Sequence, residues 1–434
     1  MDAVETLSAP KHRNMNGRLR SGRTLQIVVF TLIFVIGIFL RLPPQAFAER
    51  KLLHRLTILH PAPGFVRTGF DEGLYEQYVN GLIKGGITSY PDLVDDYIAA
   101  QSKLSGAILP PVRFLYIYSA YLWHLVFGGD AIFDLRDVSA VFSMLTLGLA
   151  TIFAGRMAGK VFALSVAALM AVAPTQLHMS QHALIDGFFA FWALLSLWCL
   201  WENLRAPHSW RWLLAYALAL ALLILTKENS FFVWVALVTL MVANRWLKFG
   251  TATRELLLAT IAGPVLGVVV LVFLAGGFGN LIETYQLLVT KAAQTPYAIA
   301  TGDGPWYRYL VDLLLVSPII LILSFGTLFR LTRAMIPELF FWIFIGASYL
   351  VMCNVKYGMN LRYANMWDMP LRFLACSQII MLAGLTTRYR NLLISAVIAI
   401  LAVLEFRQYL ILAVNYPLYE LITHDLLQAL RILK

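Results

Sequence analysis

The chain has 434 residues, 60% of them hydrophobic and only 13% charged, with a formal net charge of +10. Soluble domains carry roughly 45–50% apolar and about 25% charged residues, so this composition excludes a protein solvated mainly by water and predicts a polytopic membrane protein. The basic excess predicts no nucleic-acid partner, because Lys and Arg fall mainly in short loops between apolar runs, the pattern that sets orientation in a bilayer.

Residues 1–24 are polar and basic, with Lys11, Arg13, Arg18, Arg20 and Arg23, and read as a cytoplasmic N-terminus. The apolar run Leu25–Leu40 lacks a small-residue cleavage site and leads directly into Arg41-Leu42-Pro43-Pro44, so it reads as a retained first span at about 25–42. A long outer loop, about 43–135, follows. Within it Pro110-Pro111 opens an amphipathic or half-buried helix, Val112–Phe127, whose Tyr and Trp residues suit the headgroup level. An ordinary span is the alternative for that segment.

Further spans are expected at about 137–155, 161–177, 187–204, 212–226, 230–247, 255–275, 309–329, 337–355, 368–386 and 391–406, about eleven in all. Alternate loops are short and basic: Arg156/Lys160, Arg205/Arg211, Arg245/Lys248/Arg254, Arg330/Arg333 and Arg388/Arg390. They share the side of the N-terminus only if residues 112–127 do not cross. Residues 178–186, 226–229, 276–308 and 355–367 then lie on the outer face with the 43–135 loop. Residues 25–406 read as one transmembrane domain. Beyond 406, Tyr416-Pro417 interrupts the pattern, and 407–434 reads as an amphipathic surface segment or a final span, with Leu421, Leu426, Leu427 and Leu430 on one face. Cys199, Cys353 and Cys376 lie inside apolar runs, so no disulfide framework is expected.

The informative polar residues gather at the outer ends of spans. Asp71-Glu72, in Thr68-Gly69-Phe70-Asp71-Glu72-Gly73-Leu74-Tyr75, is a carboxylate pair suited to proton abstraction or metal binding; a solvated turn is the plain alternative. His178, His182 and Asp186 are spaced i, i+4, i+8, one face of a helix and a candidate divalent-cation site, against ordinary interfacial side chains. Asp186 stands at the mouth of an apolar run, where a carboxylate is costly and marks a second site acid. Lys227, in Thr226-Lys227-Glu228-Asn229, and the aromatic-flanked Arg308 and Arg362-Tyr363 suit a phosphate at the interface. The plain alternatives are internal pairing, Lys227 with Glu228 and Arg136 with Asp137, or interface anchoring. No Gly-x-Ser-x-Gly, Walker A or His-Glu-x-x-His pattern occurs.

The order of these motifs resembles the GT-C class of membrane glycosyltransferases, in the branch of protein O-mannosyltransferases and lipid A aminoarabinose transferases. Asp71-Glu72-Gly73-Leu74-Tyr75 resembles its first-loop acidic motif, and Pro110-Pro111-Val112-Arg113-Phe114-Leu115-Tyr116 its juxtamembrane helix start. Arg136-Asp137-Val138-Ser139, Asp186 and Leu225-Thr226-Lys227 follow in order over residues 25–240. Two departures stand out: Glu228 replaces a usual glycine, and Gln181-His182 stands where a basic residue is common.

The resemblance implies an all-α GT-C fold whose first outer loop carries juxtamembrane helices. It implies an inverting transfer of a sugar from a polyprenyl-phosphate donor to a lipid, glycan or protein acceptor. Asp71 would be the base and Glu72 its support. Tyr75, Asp186, Lys227, Arg308, Arg362 and Tyr363 would bind substrate, with no required cofactor. The setting expected is a prokaryotic plasma membrane, with the site on its outer face. A transporter or flippase, or a non-catalytic assembly subunit, are the rival classes. The acids cluster at span ends rather than at the midplane, and no two halves are alike, which weighs against transport.

Overall fold

In hydrocarbon every backbone N–H and C=O must pair within its own segment, so apolar runs of this length become helices. The computed structural model describes residues 15–59, 70–356, 358–386, 388–415 and 422–430, and every regular element among them is helical. Thr68, Gly69 and Tyr416 to Leu421, which figure in the expectations above, lie outside the described residues.

The helices run α1 (Met15–Arg41), α2 (Phe70–Gly85), α3 (Tyr90–Lys103), α4 (Phe114–Phe127), α5 (Ala131–Ala158), α6 (Lys160–Ala171), α7 (Pro174–Gln181), α8 (Ile185–Arg205), α9 (Trp210–Ile224) and α10 (Ser230–Leu247). Then come α11 (Arg254–Leu274), α12 (Phe278–Ala292), α13 (Pro296–Gly302), α14 (Arg308–Val316), α15 (Pro318–Gly326), α16 (Ile336–Met352), α17 (Asp368–Ala383), α18 (Arg390–Tyr409) and α19 (Ile422–Ala429). The stretch between α1 and α5 thus carries the helices α2, α3 and α4 that the resemblance implied. Five of the described helices are long and apolar enough to cross a bilayer, and counting two bent pairs as single spans brings the number to seven; four apolar helices are shorter. This is an integral membrane protein, and each of the eleven expected spans coincides with a helix or a bent pair.

Four local expectations are corrected. The 161–177 segment is α6 and α7, bent by 53° where Pro174 removes a backbone donor; the 309–329 segment is α14 and α15, bent by 116° at Ser317-Pro318. The helix expected from Val112 begins at Phe114, with Arg113 as its N-cap in a non-helical conformation. In the C-terminal helix Leu427 is buried and Leu430 is exposed, so the expected leucine face is divided.

Buried polar side chains satisfy both breaks. Arg41 donates to the carbonyls of Met170 (2.7 Å) and Ala171 (2.9 Å) at the end of α6. Arg372 pairs with Asp368 (2.5 Å) and Glu405 (2.6 Å), and Glu405 accepts from Ser317 Oγ (2.8 Å) at the α14–α15 bend. The apolar core has two main parts. The larger draws on α5, α6, α8, α9, α10, α16 and α17; a second joins the outer-loop helices α2–α4 to α5, α8 and α11. Asp71 is carried by the second part, whereas the neighbours of Arg362 in its 3-10 turn, Leu361–Trp367, belong to the first.

Candidate active site

Asp71 and Glu72 occupy the first turn of α2, about 100° apart around the axis. They therefore face different surroundings. The Glu72 side chain is 4% exposed, held by Arg136 of α5 (3.2 and 3.3 Å) and by the backbone N–H of Ala183 (2.7 Å), with His182 Nδ1 at 3.6 Å. Burial by itself would raise its pKa, but His182 and Arg136 outweigh burial and hold the carboxyl well below the usual range. Glu72 is thus a fixed anion that ties α2 to α5 and to the α7–α8 link. Asp71 keeps 18% of its side chain exposed and is held on one oxygen, Oδ2, by Arg362 Nη1 at 2.9 Å.

Arg362 is the centre of a wider cluster. Asn360 caps its 3-10 turn by accepting from the Arg362 N–H (2.9 Å). Its Nε lies 3.8 Å from Asp186 Oδ2, in the first turn of α8. Burial opposes its charge, but Asp71 and Asp186 keep the guanidinium firmly protonated. Asp186 Oδ1 accepts from Lys227 Nζ at 2.6 Å, and that ammonium also sits 3.8 Å from the ring centroid of Tyr363. Burial brings the Lys227 pKa down from 10.5 to about 8, against the opposing pull of Asp186. A lysine poised there is a cation whose charge depends on pH in the range where enzymes work.

Tyr75 lies one helical turn beyond Asp71. Its hydroxyl accepts from Arg113 Nη1 (2.7 Å), while Arg113 Nη2 and Nε donate to Glu228 (2.6 and 3.3 Å). Burial pushes the Tyr75 phenol above its usual range, so it remains neutral. The structure therefore rejects both internal pairs: Lys227 binds Asp186 rather than Glu228, and Arg136 binds Glu72 rather than Asp137. Asp137 instead accepts from Gln45 (2.8 Å).

His178 and His182 do not continue one helix with Asp186. α7 stops at Gln181, His182 is extended, and α8 starts at Ile185; the two rings nonetheless lie 4.7 Å apart. Among the described residues no group of three or more His, Cys, Asp or Glu side chains is arranged to hold a metal ion. Arg308 stands outside the cluster, donating to the carbonyls of Asp303 and, at 2.8 Å, Ala300 in its own loop.

Asp71, Glu72, Tyr75, Asp186, Lys227, Arg362 and Tyr363 thus come together in space. Sequence reasoning missed Arg113 and Arg136 as members. Each stands in a motif quoted above, Arg113 beside Pro110-Pro111 and Arg136 at the start of a span, but their carboxylate partners, Glu228 and Glu72, are distant in sequence, and the adjacent Asp137 offered Arg136 an apparent local partner.

Residues 65–279 match the model of the dolichyl-phosphate-mannose-protein mannosyltransferase family. Solved structures share the fold. The ArnT of Cupriavidus metallidurans in the apo state is 15% identical with a TM-score of 0.52, over 93% of this chain and 76% of ArnT. The archaeal oligosaccharyltransferase AglB of Archaeoglobus fulgidus, in complex with an inhibitory peptide and a dolichol-phosphate, is 15% identical with a TM-score of 0.55, over 93% of this chain and 56% of that one. The oligosaccharyltransferase of the same organism in complex with Zn and sulfate is 15% identical with a TM-score of 0.51, over 92% and 52%. The chain therefore spans most of ArnT but little more than half of the oligosaccharyltransferase. No curated protein sequence matches it.

The fold is that of the GT-C class of membrane glycosyltransferases, as the motif order implied. The stretch 65–279 that matches the mannosyltransferase family model holds Asp71, Glu72, Asp186 and Lys227.

Proposed function

We propose that this protein transfers a sugar from a polyprenyl-phosphate-linked donor to an acceptor hydroxyl at the outer face of the membrane, with inversion at the sugar's anomeric carbon. One observation carries the reading: a single guanidinium, Arg362, holds a partly exposed carboxylate, Asp71, on one side and faces the buried Asp186–Lys227 pair on the other. A base and the cations for a phosphate leaving group thus share one cluster of contacts. Asp71 takes the acceptor hydroxyl proton; the acceptor oxygen bonds to the anomeric carbon as the bond from that carbon to the phosphate oxygen breaks. The phosphate departs with the electron pair, and Lys227 and Arg362 stabilise its charge. Arg362 takes this part in preference to Arg308, which is engaged in its own loop. Glu72 positions the helix and does no chemistry. Tyr75 and Tyr363 shape the pocket.

The description of the matching family and the dolichol-phosphate in the AglB complex support a lipid-phosphate donor. The acceptor is a lipid, glycan or protein. Asp71, Glu72 and Asp186 each already have a cationic side chain as partner, which supports transfer without a divalent cation. The alternating basic loops support a cytoplasmic N-terminus with the site on the opposite face, and a prokaryotic plasma membrane is the setting proposed. The test is transfer in vitro from a labelled polyprenyl-phosphate sugar by the purified full chain and by Asp71→Asn. Abolished transfer with normal folding of the variant is expected. Wild-type turnover by Asp71→Asn would overturn Asp71 as the base, and absence of transfer by the wild-type chain would point to a non-catalytic subunit.

A further inference from the structure

The contacts around the site close on themselves. From Asp71 the chain of partners runs to Tyr75 one turn along α2, to Arg113, to Glu228, to its neighbour Lys227, to Asp186, to Arg362 and back to Asp71. Arg113 is the link that joins the helix of the base to the turn of the lysine. Its side chain is 4% exposed, and all three guanidinium nitrogens are used: Nε and Nη2 on Glu228, Nη1 on Tyr75. A planar fork gripping a carboxylate at two points fixes direction as well as distance. Beside it, the Leu115 N–H donates to Leu225 O (2.9 Å), so the backbone of the lysine turn is also held to the start of α4.

We infer that Arg113 and Glu228 are positioning residues that hold Lys227 in place to receive the lipid phosphate, a role that rests on the donor reading above. Glu228 is the residue that departs from the usual glycine of the resembled motif, and a glycine there would leave Arg113 buried with no carboxylate. Removing one partner of such a buried pair strands the other. The turn would then be free to carry Lys227 away from Asp186.

The two clamp residues also act on Lys227 with opposite charge. The groups facing that ammonium are Asp186, Arg113, Glu228, Arg362 and the Tyr363 ring. Glu228 favours its protonated form and Arg113 disfavours it. A purely structural pair would lose binding equally from either side without moving a pH profile.

The experiment measures dolichyl phosphate binding to the purified full chain in nanodiscs between pH 6 and 10, for wild type, Glu228→Gln, Arg113→Gln and the swap Arg113→Glu/Glu228→Arg. Thermal unfolding serves as the folding control. Both single variants should bind at least about tenfold more weakly, the size of one lost charge-assisted contact. The pH midpoint should fall in Glu228→Gln and rise in Arg113→Gln, and the swap should recover part of the affinity. Wild-type affinity in the single variants overturns the inference, as do midpoints that stay fixed or move together. If a single variant does not fold, a folded swap decides: its failure to recover binding overturns the clamp. If wild type binds no dolichyl phosphate at any pH, the donor reading itself fails.

Discussion

Lys227 and Asp186 meet at 2.6 Å with side chains 2% and 3% exposed, the most buried ion pair of the candidate site. Its lysine is charged below about 8 and neutral above. An anionic phosphate binds the protonated form, so dolichyl phosphate affinity should fall as pH rises through that value. Binding itself raises the lysine's pKa, so the decline ends where the complex also deprotonates. Lys227→Arg should keep a flat profile to pH 10, and Lys227→Met should bind about 10–100-fold more weakly, as for a charge-assisted hydrogen bond of roughly 1.5–3 kcal/mol. Titration at fixed ionic strength checks both; a flat wild-type profile would count against Lys227 as the phosphate cation.

Asp71→Asn keeps the size of the side chain and removes the base together with the charge that pairs with Arg362. Turnover should drop by about 10²–10⁴-fold, the usual contribution of general base catalysis, while dolichyl phosphate affinity changes little. Single-turnover transfer beside equilibrium binding separates the two effects. Equal losses in both would mean that Asp71 serves donor binding instead.

Glu72 has the opposite character, and its variants should fail in stability. Its folded pKa lies below the ordinary value of 4.5, so the stability it contributes is present above about 4.5 and is lost as pH falls towards the folded value. Glu72→Gln leaves Arg136 without its carboxylate, a change costing about 3–5 kcal/mol at neutral pH. The difference in melting temperature from wild type should shrink at pH 4. A constant difference between pH 7 and pH 4 would assign the loss to packing alone.

Chelation offers a third, independent check on the carboxylates. With Arg136, Lys227 and Arg362 occupying them, dialysis against EDTA should leave transfer unchanged within about twofold, well under one power of ten in barrier terms. A tenfold loss restored by Mg²⁺ or Mn²⁺ would require that one of these pairs opens to admit a cation.

Much of the fold was legible because apolar length is a local property. The runs at 187–204 and 255–275 became α8 and α11 with nearly those bounds. The bends were missed because Pro174 and Pro318 each sit inside runs apolar enough to read as continuous, and only the buried partners Arg41 and Glu405 make a break tolerable there. Among the clustered residues, Asp71 stood out by its carboxylate pair, Asp186 by the cost of charge at the mouth of a span, Lys227 by its polar turn and Arg362 by its aromatic neighbour. Their partners were misassigned for a different reason. Neighbours in sequence, such as Lys227-Glu228 and Arg136-Asp137, look paired on paper, yet in the fold they point to different elements. Arg308 looked like Arg362 by its aromatic flanks, and only the backbone path of its loop separates them.

The grip of Arg41 on the last carbonyls of α6 has a consequence for the order of assembly. Arg41 ends α1, and its targets, Met170 and Ala171, are synthesised about 130 residues after it. Without α1 in place the Ala171 carbonyl loses its Arg41 donor, and an unpaired carbonyl in hydrocarbon costs several kcal/mol. Docking of α1 and closure of the α6–α7 bend are therefore expected to be coupled steps of assembly.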